Sequence, residues 1–103
     1  MKLIEAVENN DLNEVRKLLG YVKKFTNENP QGVFSREGHI KNNKVNSTDE
    51  EGNTALMYAS YNGNREIVEL LIENGADIDH ENNDGNTALM WATNGEKNTE
   101  TIK

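Results

Sequence analysis

The apolar residues between positions 54 and 73 are spaced for two short helices with a turn between them. Thr54 is a typical N-cap residue, and the small and apolar side chains that follow it predict a helix of two turns. Residues 62–63, Asn-Gly, then favour a helix end with positive φ. Residues 65–73 carry a wider apolar stripe with charged residues on the opposite face, and Asn-Gly at 74–75 ends this second predicted helix.

The same pattern occurs twice. The octapeptide GNTALMYA at residues 52–59 returns as GNTALMWA at residues 85–92, 33 residues later. The polar stretch between the two helical patterns, ADIDHENNDG, predicts an extended excursion and a tight turn, with Ile78 as its one buried side chain. A repeating unit of helix, turn, helix and hairpin-like connection is therefore predicted.

Residues 49–79, DEEGNTALMYASYNGNREIVELLIENGADID, resemble an ankyrin repeat. The usual signature of that family is G-x-T-P-L-H-x-A-A, then G-x-x-x-I-V-x-L-L-L, then G-A-D, and the 33-residue period matches as well. This chain has Ala55 where the family usually has Pro and Met57 where it usually has His, which should soften the repeat slightly. The resemblance implies an all-α fold, an ankyrin-repeat solenoid of stacked helix-turn-helix units with β-hairpin-like connections.

We expect one domain, residues 1–103, in four parts. Residues 1–19 resemble the amino-terminal capping repeat, 20–44 are an insertion, 45–77 a full repeat, and 78–103 a truncated repeat that stops within its second helix. About three repeats are usually needed for independent stability. The sequence therefore leaves two alternatives, a fragment of a longer array or a protein that self-associates through its incomplete carboxyl-terminal repeat.

The insertion is the most individual part of the chain, and it holds the single proline, Pro30. Helical spacing from Val15 to Val22 predicts that the second helix runs past Gly20 toward Phe25, with a loop after it. Its aromatic residues either form a second apolar patch or fold back over the first repeat, and we expect the second; they are Tyr21, Phe25 and Phe34. Its basic residues, which also permit contact with acidic tips, are Lys23, Lys24, Arg36, Lys41 and Lys44.

Charge and composition exclude several partners. Lys and Arg total 11 against 18 Asp and Glu, a net charge of -7, which repels nucleic acid and anionic membranes. No apolar run approaches the roughly 18 residues of a membrane span. The chain has no cysteine, and its beginning lacks the apolar core of a secretory signal. A soluble cytoplasmic protein is expected.

No catalytic or metal-binding constellation is found. His39 and His80 are the only imidazoles, and neither lies at metal-ligand spacing or beside a nucleophile motif. His80 is interpreted as solvated, and Glu50 and Glu51 as exposed turn charges. Thr54 is expected to cap the amides that would otherwise seat an anion. We therefore predict no enzyme, no cofactor and no metal.

The resemblance implies a module that binds a protein partner through a concave surface of hairpin tips and first helices. Tyr58 and Trp91 occupy one variable position in successive repeats and should stack along the groove wall, exposed to a partner or packed on neighbouring helices. An acidic surface favours a partner with a basic segment. The alternative is a structural or self-associating segment of a longer array without its own ligand. The predicted partner-binding residues are Thr48, Glu50, Glu51, Asn53, Tyr58, Tyr61, Asn62, Glu81, Asn83, Asp84, Asn86 and Trp91.

Overall fold

The computed structural model describes residues 2–36 and 44–93. His39, Lys41 and the end of the predicted truncated repeat lie outside these residues. Within them, no helix is long and apolar enough to cross a membrane. The elements are α1 (Lys2–Glu8), α2 (Leu12–Leu18), β1 (Tyr21–Lys24), β2 (Val33–Arg36), α3 (Ala55–Asn62), α4 (Arg65–Glu73) and a last helical segment, α5, at 88–93.

The first four helices form two stacked pairs, because α1 packs on α2 and on α3, while α4 packs on α3 and on α2. Local signals set the helix ends. The Thr54 side chain accepts from the Met57 amide at 3.4 Å, and Gly63 ends α3 at φ 68°. Asn10 takes the matching left-handed position in the first pair, with φ 55°. These predicted caps are confirmed.

Apolar side chains from both pairs meet in one core. Fully burying such a side chain contributes about 1.5–3 kcal/mol. The prediction for Ile78 is wrong, because this side chain is 56% exposed. The apolar residues of the described part that have no exposed surface are Val7, Val15, Leu19, Met57, Ala59, Ile67 and Leu71.

The predicted extension of the second helix is also wrong. The helix α2 ends at Leu18, and Gly20 turns the chain at φ 89°, a conformation that ends helices. Residues 21–36 then form an antiparallel hairpin in which β1 pairs with β2, with Lys23 opposite Phe34. We call these residues the insertion hairpin. The fold is mostly helical, and the all-α prediction omitted this two-stranded sheet.

The insertion hairpin contacts the helices through Tyr21, on β1, and through Phe34, on β2. The Tyr21 hydroxyl accepts from Asn74 Nδ2 at 3.1 Å and is partly buried. The Arg16 guanidinium lies 4.1 Å from the centre of the Phe34 ring, which stays 40% exposed. Phe25 is 67% exposed. The predicted folding back therefore holds for Tyr21 and fails for Phe25.

Candidate functional site

Two loops carry the candidate surface, the first tip loop (residues 45–54) and the second tip loop (residues 78–87). In the first, Asp49 Oδ1 accepts from the amides of Glu51 at 3.0 Å and Asn53 at 2.9 Å. In the second, Asn82 Oδ1 accepts from the amides two and four residues on, at 2.9 and 3.0 Å. One side chain thus closes each loop at the same place in the repeat. Our sequence analysis missed both residues, although they are 33 positions apart.

The two loops are held against each other by hydrogen bonds. The Asn83 amide donates to the Glu51 carbonyl at 3.0 Å, and Asn83 Nδ2 donates to the Glu50 carbonyl at 3.2 Å. His80 Nε2 donates to the Gly52 carbonyl at 3.0 Å, so the interpretation of His80 as solvated is wrong. The tips therefore form one continuous surface.

Gly52 permits this close approach. Its φ is 82°, and a Cβ there would lie 2.7 Å from Asn83 Oδ1 and 3.1 Å from the Asn83 backbone nitrogen. Any other residue would add backbone strain and push the second tip loop away.

A polar cluster lies beneath the first tip loop. Asn53 is 4% exposed, and its Nδ2 donates to Asp49 Oδ2 at 3.3 Å and to the Tyr58 hydroxyl at 3.4 Å. Its Oδ1 accepts from Asn82 Nδ2 at 2.9 Å, and the Tyr58 hydroxyl donates to Asp49 Oδ2 at 2.5 Å. Asn53 and the Tyr58 hydroxyl thus stabilise the surface from below.

Hydrogen bonding sets the protonation of this cluster. Burial alone would raise the pKa of the Asp49 carboxyl, but the donors from Tyr58, Asn53 and Glu51 together hold that pKa below its usual value. Burial first, and then the bond to Asp49, raises the pKa of Tyr58. The pair therefore stays a carboxylate and a neutral phenol near neutral pH.

Three aromatic rings meet beside the tips. The centres of the Tyr58 and Trp91 rings are 5.2 Å apart and those of Tyr61 and Trp91 are 6.1 Å apart, each pair edge to face at 78°. The predicted contact between Tyr58 and Trp91 is present, as a T-shaped pair. The rings border an open cavity of about 370 Å³, the aromatic cavity, lined by Glu51, Asn53, Tyr58, Tyr61, Asn82, Asp84, Asn86 and Trp91.

A second cavity, of about 560 Å³, lies between α1 and the first tip loop. We call it the acidic cavity. Glu5 and Glu8 join it from α1, where our sequence analysis predicted no binding residue. Glu51 borders both cavities, so the candidate surface extends from α1 to α5. The lining residues are Ile4, Glu5, Glu8, Thr48, Asp49, Glu50 and Glu51.

Three predicted residues line neither cavity. Asn62 Nδ2 donates to the Val7 carbonyl at 3.3 Å and to Asn10 Oδ1 at 3.5 Å, so it ties α3 to the first helix pair. Asn83 binds the first tip loop, and Glu81 lies beside Gly85. In residues 2–36 and 44–93, no three His, Asp or Glu side chains are grouped to hold a metal ion.

A family model described as ankyrin repeats in three copies matches residues 3–103. The E3 ubiquitin-protein ligase XBAT32 of Arabidopsis thaliana is 33% identical over 91 residues, which cover 88% of this chain and 14% of the ligase. The human NAD-capped RNA hydrolase NUDT12 is 51% identical over 45 residues, 44% of this chain and 10% of the hydrolase.

A solved structure is also similar. It is a chain in the complex of the Bd0816 predatory endopeptidase from Bdellovibrio bacteriovorus with the immunity protein Bd3460, with a TM-score of 0.64 and 30% identity. The match covers 92% of this chain and 39% of that one. This chain thus spans only a minor part of each of these relatives.

Proposed function

This chain belongs to the ankyrin-repeat family, and on that premise we propose that it binds a protein partner, without catalysis, through the concave surface of its tip loops and first helices. Ankyrin repeats are generally protein-interaction modules, and stacked repeats present extended concave surfaces. The observation that carries the proposal is the aromatic cavity beside the two joined tips. Tyr and Trp are enriched among residues that dominate binding energy.

The partner enters with an apolar side chain at the aromatic cavity and a basic segment along the acidic cavity. Trp91 and Tyr61 supply the aromatic contact, while Glu5, Glu8 and Glu50 supply complementary charge. Asn53 and Tyr58 act indirectly, since their polar groups hold the first tip loop in place. We propose a cytoplasmic partner, in keeping with a chain that has no cysteine.

Site-specific photocrosslinking tests this proposal. A photoreactive phenylalanine analogue replaces Tyr61 on the concave side, and in a matched variant it replaces Ile72, which is similarly exposed on α4 at 48%. We expect a covalent adduct with a partner protein from position 61 and none from position 72. Adducts from position 72 alone would place the binding surface elsewhere.

The captured partner is then purified and its affinity measured. Trp91→Ala should weaken binding at least about tenfold, since truncation of an aromatic hot spot typically costs about 2 kcal/mol or more. Circular dichroism must show that the variant is folded. An unchanged affinity would contradict the proposed surface and would favour a structural segment of a longer array.

A further inference from the structure

The charges of this chain are divided between two regions. Residues 16–44 hold seven of the eleven Lys and Arg side chains against two carboxylates. Residues 45–93 hold one Arg against ten carboxylates. Residues 16–44 therefore carry a charge of +5 and residues 45–93 a charge of -9, and residues 1–15 supply the remaining -3 of the net charge of -7. Regions of opposite potential attract each other when they lie on different molecules.

The basic region also exposes apolar surface. Lys23 Nζ lies 5.6 Å from the centre of the Phe34 ring and 5.7 Å from that of Phe25, so cation and rings form one face. Grouped apolar residues on a surface commonly mark an interaction site. The exposed apolar residues of the insertion hairpin are Val22, Phe25, Val33 and Phe34, at 46%, 67%, 42% and 40%.

The acidic cavity has the complementary chemistry. It is bordered by Glu5, Glu8, Glu50 and Glu51, with the side chain of Ile4 as an apolar wall. None of its lining residues belongs to the insertion hairpin. The hairpin packs instead on α2 and bonds to Asn74 at the end of α4. A hairpin that enters this cavity therefore belongs to another molecule.

We propose that the insertion hairpin of one copy docks, through Lys23 and Phe25, in the acidic cavity of a second copy. The proposal rests on the proposed function of the concave surface and names one basic partner for it. Contact between two hairpins would instead bring Lys23 of one copy near Lys23 of the other, and like charges repel. The contact joins two different surfaces, so a pair joined by one such contact keeps one free hairpin and one free cavity and can add further copies.

Light scattering from micromolar to millimolar concentrations tests the docking. We expect the average mass of the wild type to rise with concentration. The hairpin variant Lys23→Glu/Phe25→Ser and the cavity variant Glu50→Lys/Glu51→Lys should each raise the dissociation constant at least about tenfold. Matched controls carry the same types of change on other exposed positions, and should behave as wild type; they are Lys17→Glu/Ile72→Ser and Glu69→Lys/Glu73→Lys.

A mixture of the two variants separates docking from misfolding. The hairpin variant keeps its acidic cavity and the cavity variant keeps its hairpin, so an equimolar mixture should form a one-to-one dimer and nothing larger. Two variants that had lost their fold would not recover in this way.

Three outcomes would overturn the inference: a wild type that stays monomeric, variants that associate as the wild type does, or a mixture that forms no dimer. A monomeric wild type that still gives the partner adduct from position 61 would overturn this inference and leave the proposed function standing. Self-association as described, with no adduct except between copies, would support the inference and leave a second copy as the partner of the concave surface.

Discussion

The first tip loop and the insertion hairpin are both chain reversals between helices, yet burial and polarity are opposite in the two. In the tip loop the polar Asn53 is 4% exposed, whereas in the hairpin the apolar Phe25 is 67% exposed. Asn53 tolerates burial because its side chain bonds to Asp49, Tyr58 and Asn82. The comparison teaches that a polar side chain can be buried here where the fold supplies hydrogen-bond partners, and that an apolar side chain of the hairpin can stay exposed.

Substitutions in the two regions should also differ in their effect on the free energy of unfolding. The tip loop is bonded to its neighbour and to α3, while the hairpin attaches through Tyr21 and the Arg16–Phe34 contact. A substitution in the helices or tips should therefore lower the free energy of unfolding more than a comparable substitution in the hairpin. The following changes test that division.

The largest expected loss in the free energy of unfolding comes from a substitution in the apolar core. Leu71→Ala removes a fully buried side chain of α4 and should lower the free energy of unfolding by about 2–5 kcal/mol. Val22→Ala in the hairpin should change it by no more than about 0.5 kcal/mol. Urea unfolding followed by circular dichroism measures both. If Leu71→Ala does not fold, Ile67→Val can replace it, since this milder change should lower the free energy of unfolding by about 0.5–1.5 kcal/mol. If the core variant and the hairpin variant lose the same free energy of unfolding, the proposed difference between the two regions is refuted.

Glycine substitutions compare the two reversals directly. Gly52→Ala places a Cβ against the backbone of the second tip loop at positive φ, and should cost about 2–4 kcal/mol. Gly32→Ala in the hairpin also has positive φ, at 92°, but its Cβ meets the ends of the Lys23 and Phe25 side chains, which can move. We expect Gly32→Ala to lower the free energy of unfolding by about 1–2 kcal/mol. Similar losses in urea unfolding would mean that the tips are not held as tightly as the contacts indicate.

Removal of the Asp49 side chain tests the polar cluster. Asp49→Ala leaves Asn53 and the Tyr58 hydroxyl short of a partner, and should cost about 1–3 kcal/mol at neutral pH. Asp49→Asn should cost less, because the second tip loop makes the same turn with Asn82. If both variants lose the same free energy, the charge rather than the turn is what matters.

The pH dependence of unfolding tests the same cluster. The pKa of Asp49 is lowered by folding, so its contribution is present above its ordinary pKa of about 3.9 and is lost as the pH falls through the folded value. The pKa of Tyr58 is raised, so its contribution is present below about pH 10 and is lost as the pH rises through the folded value. The stability difference between wild type and Asp49→Asn should shrink below about pH 4. A constant difference across that range would contradict this.

The smallest expected effect is at the base of the hairpin. A double-mutant cycle with Arg16→Ala and Phe34→Leu should give a coupling of about 0.5–1 kcal/mol, the usual size for a cation over an exposed ring. Zero coupling would mean that the contact between Arg16 and Phe34 contributes nothing to stability.

The candidate surface was only partly predictable. The repeat period placed Tyr58 and Trp91 in contact, because equivalent positions of neighbouring repeats lie side by side. Asp49 and Asn82 were missed because short polar residues in a loop are usually solvated, and only the loop geometry shows which amides they bind. Glu5 and Glu8 were missed because their role depends on the tip loop that faces them. The binding roles themselves stay predictions until the partner is found.

The sequence by itself determined the repeat, the helix caps and the turns, because Thr54, Gly63 and Asn10 act within a few residues of their own position. The tertiary structure decided burial, since that depends on distant residues. The buried Asn53 accepts a hydrogen bond from Asn82, which is 29 positions away in the sequence. Tyr21 accepts a hydrogen bond from Asn74, which is 53 positions away. The helical spacing from Val15 to Val22 did not decide the insertion, where Gly20 at positive φ ended the helix and the strands paired across a turn. Local rules describe what each segment can form, and only contact between segments selects which side chains face a partner.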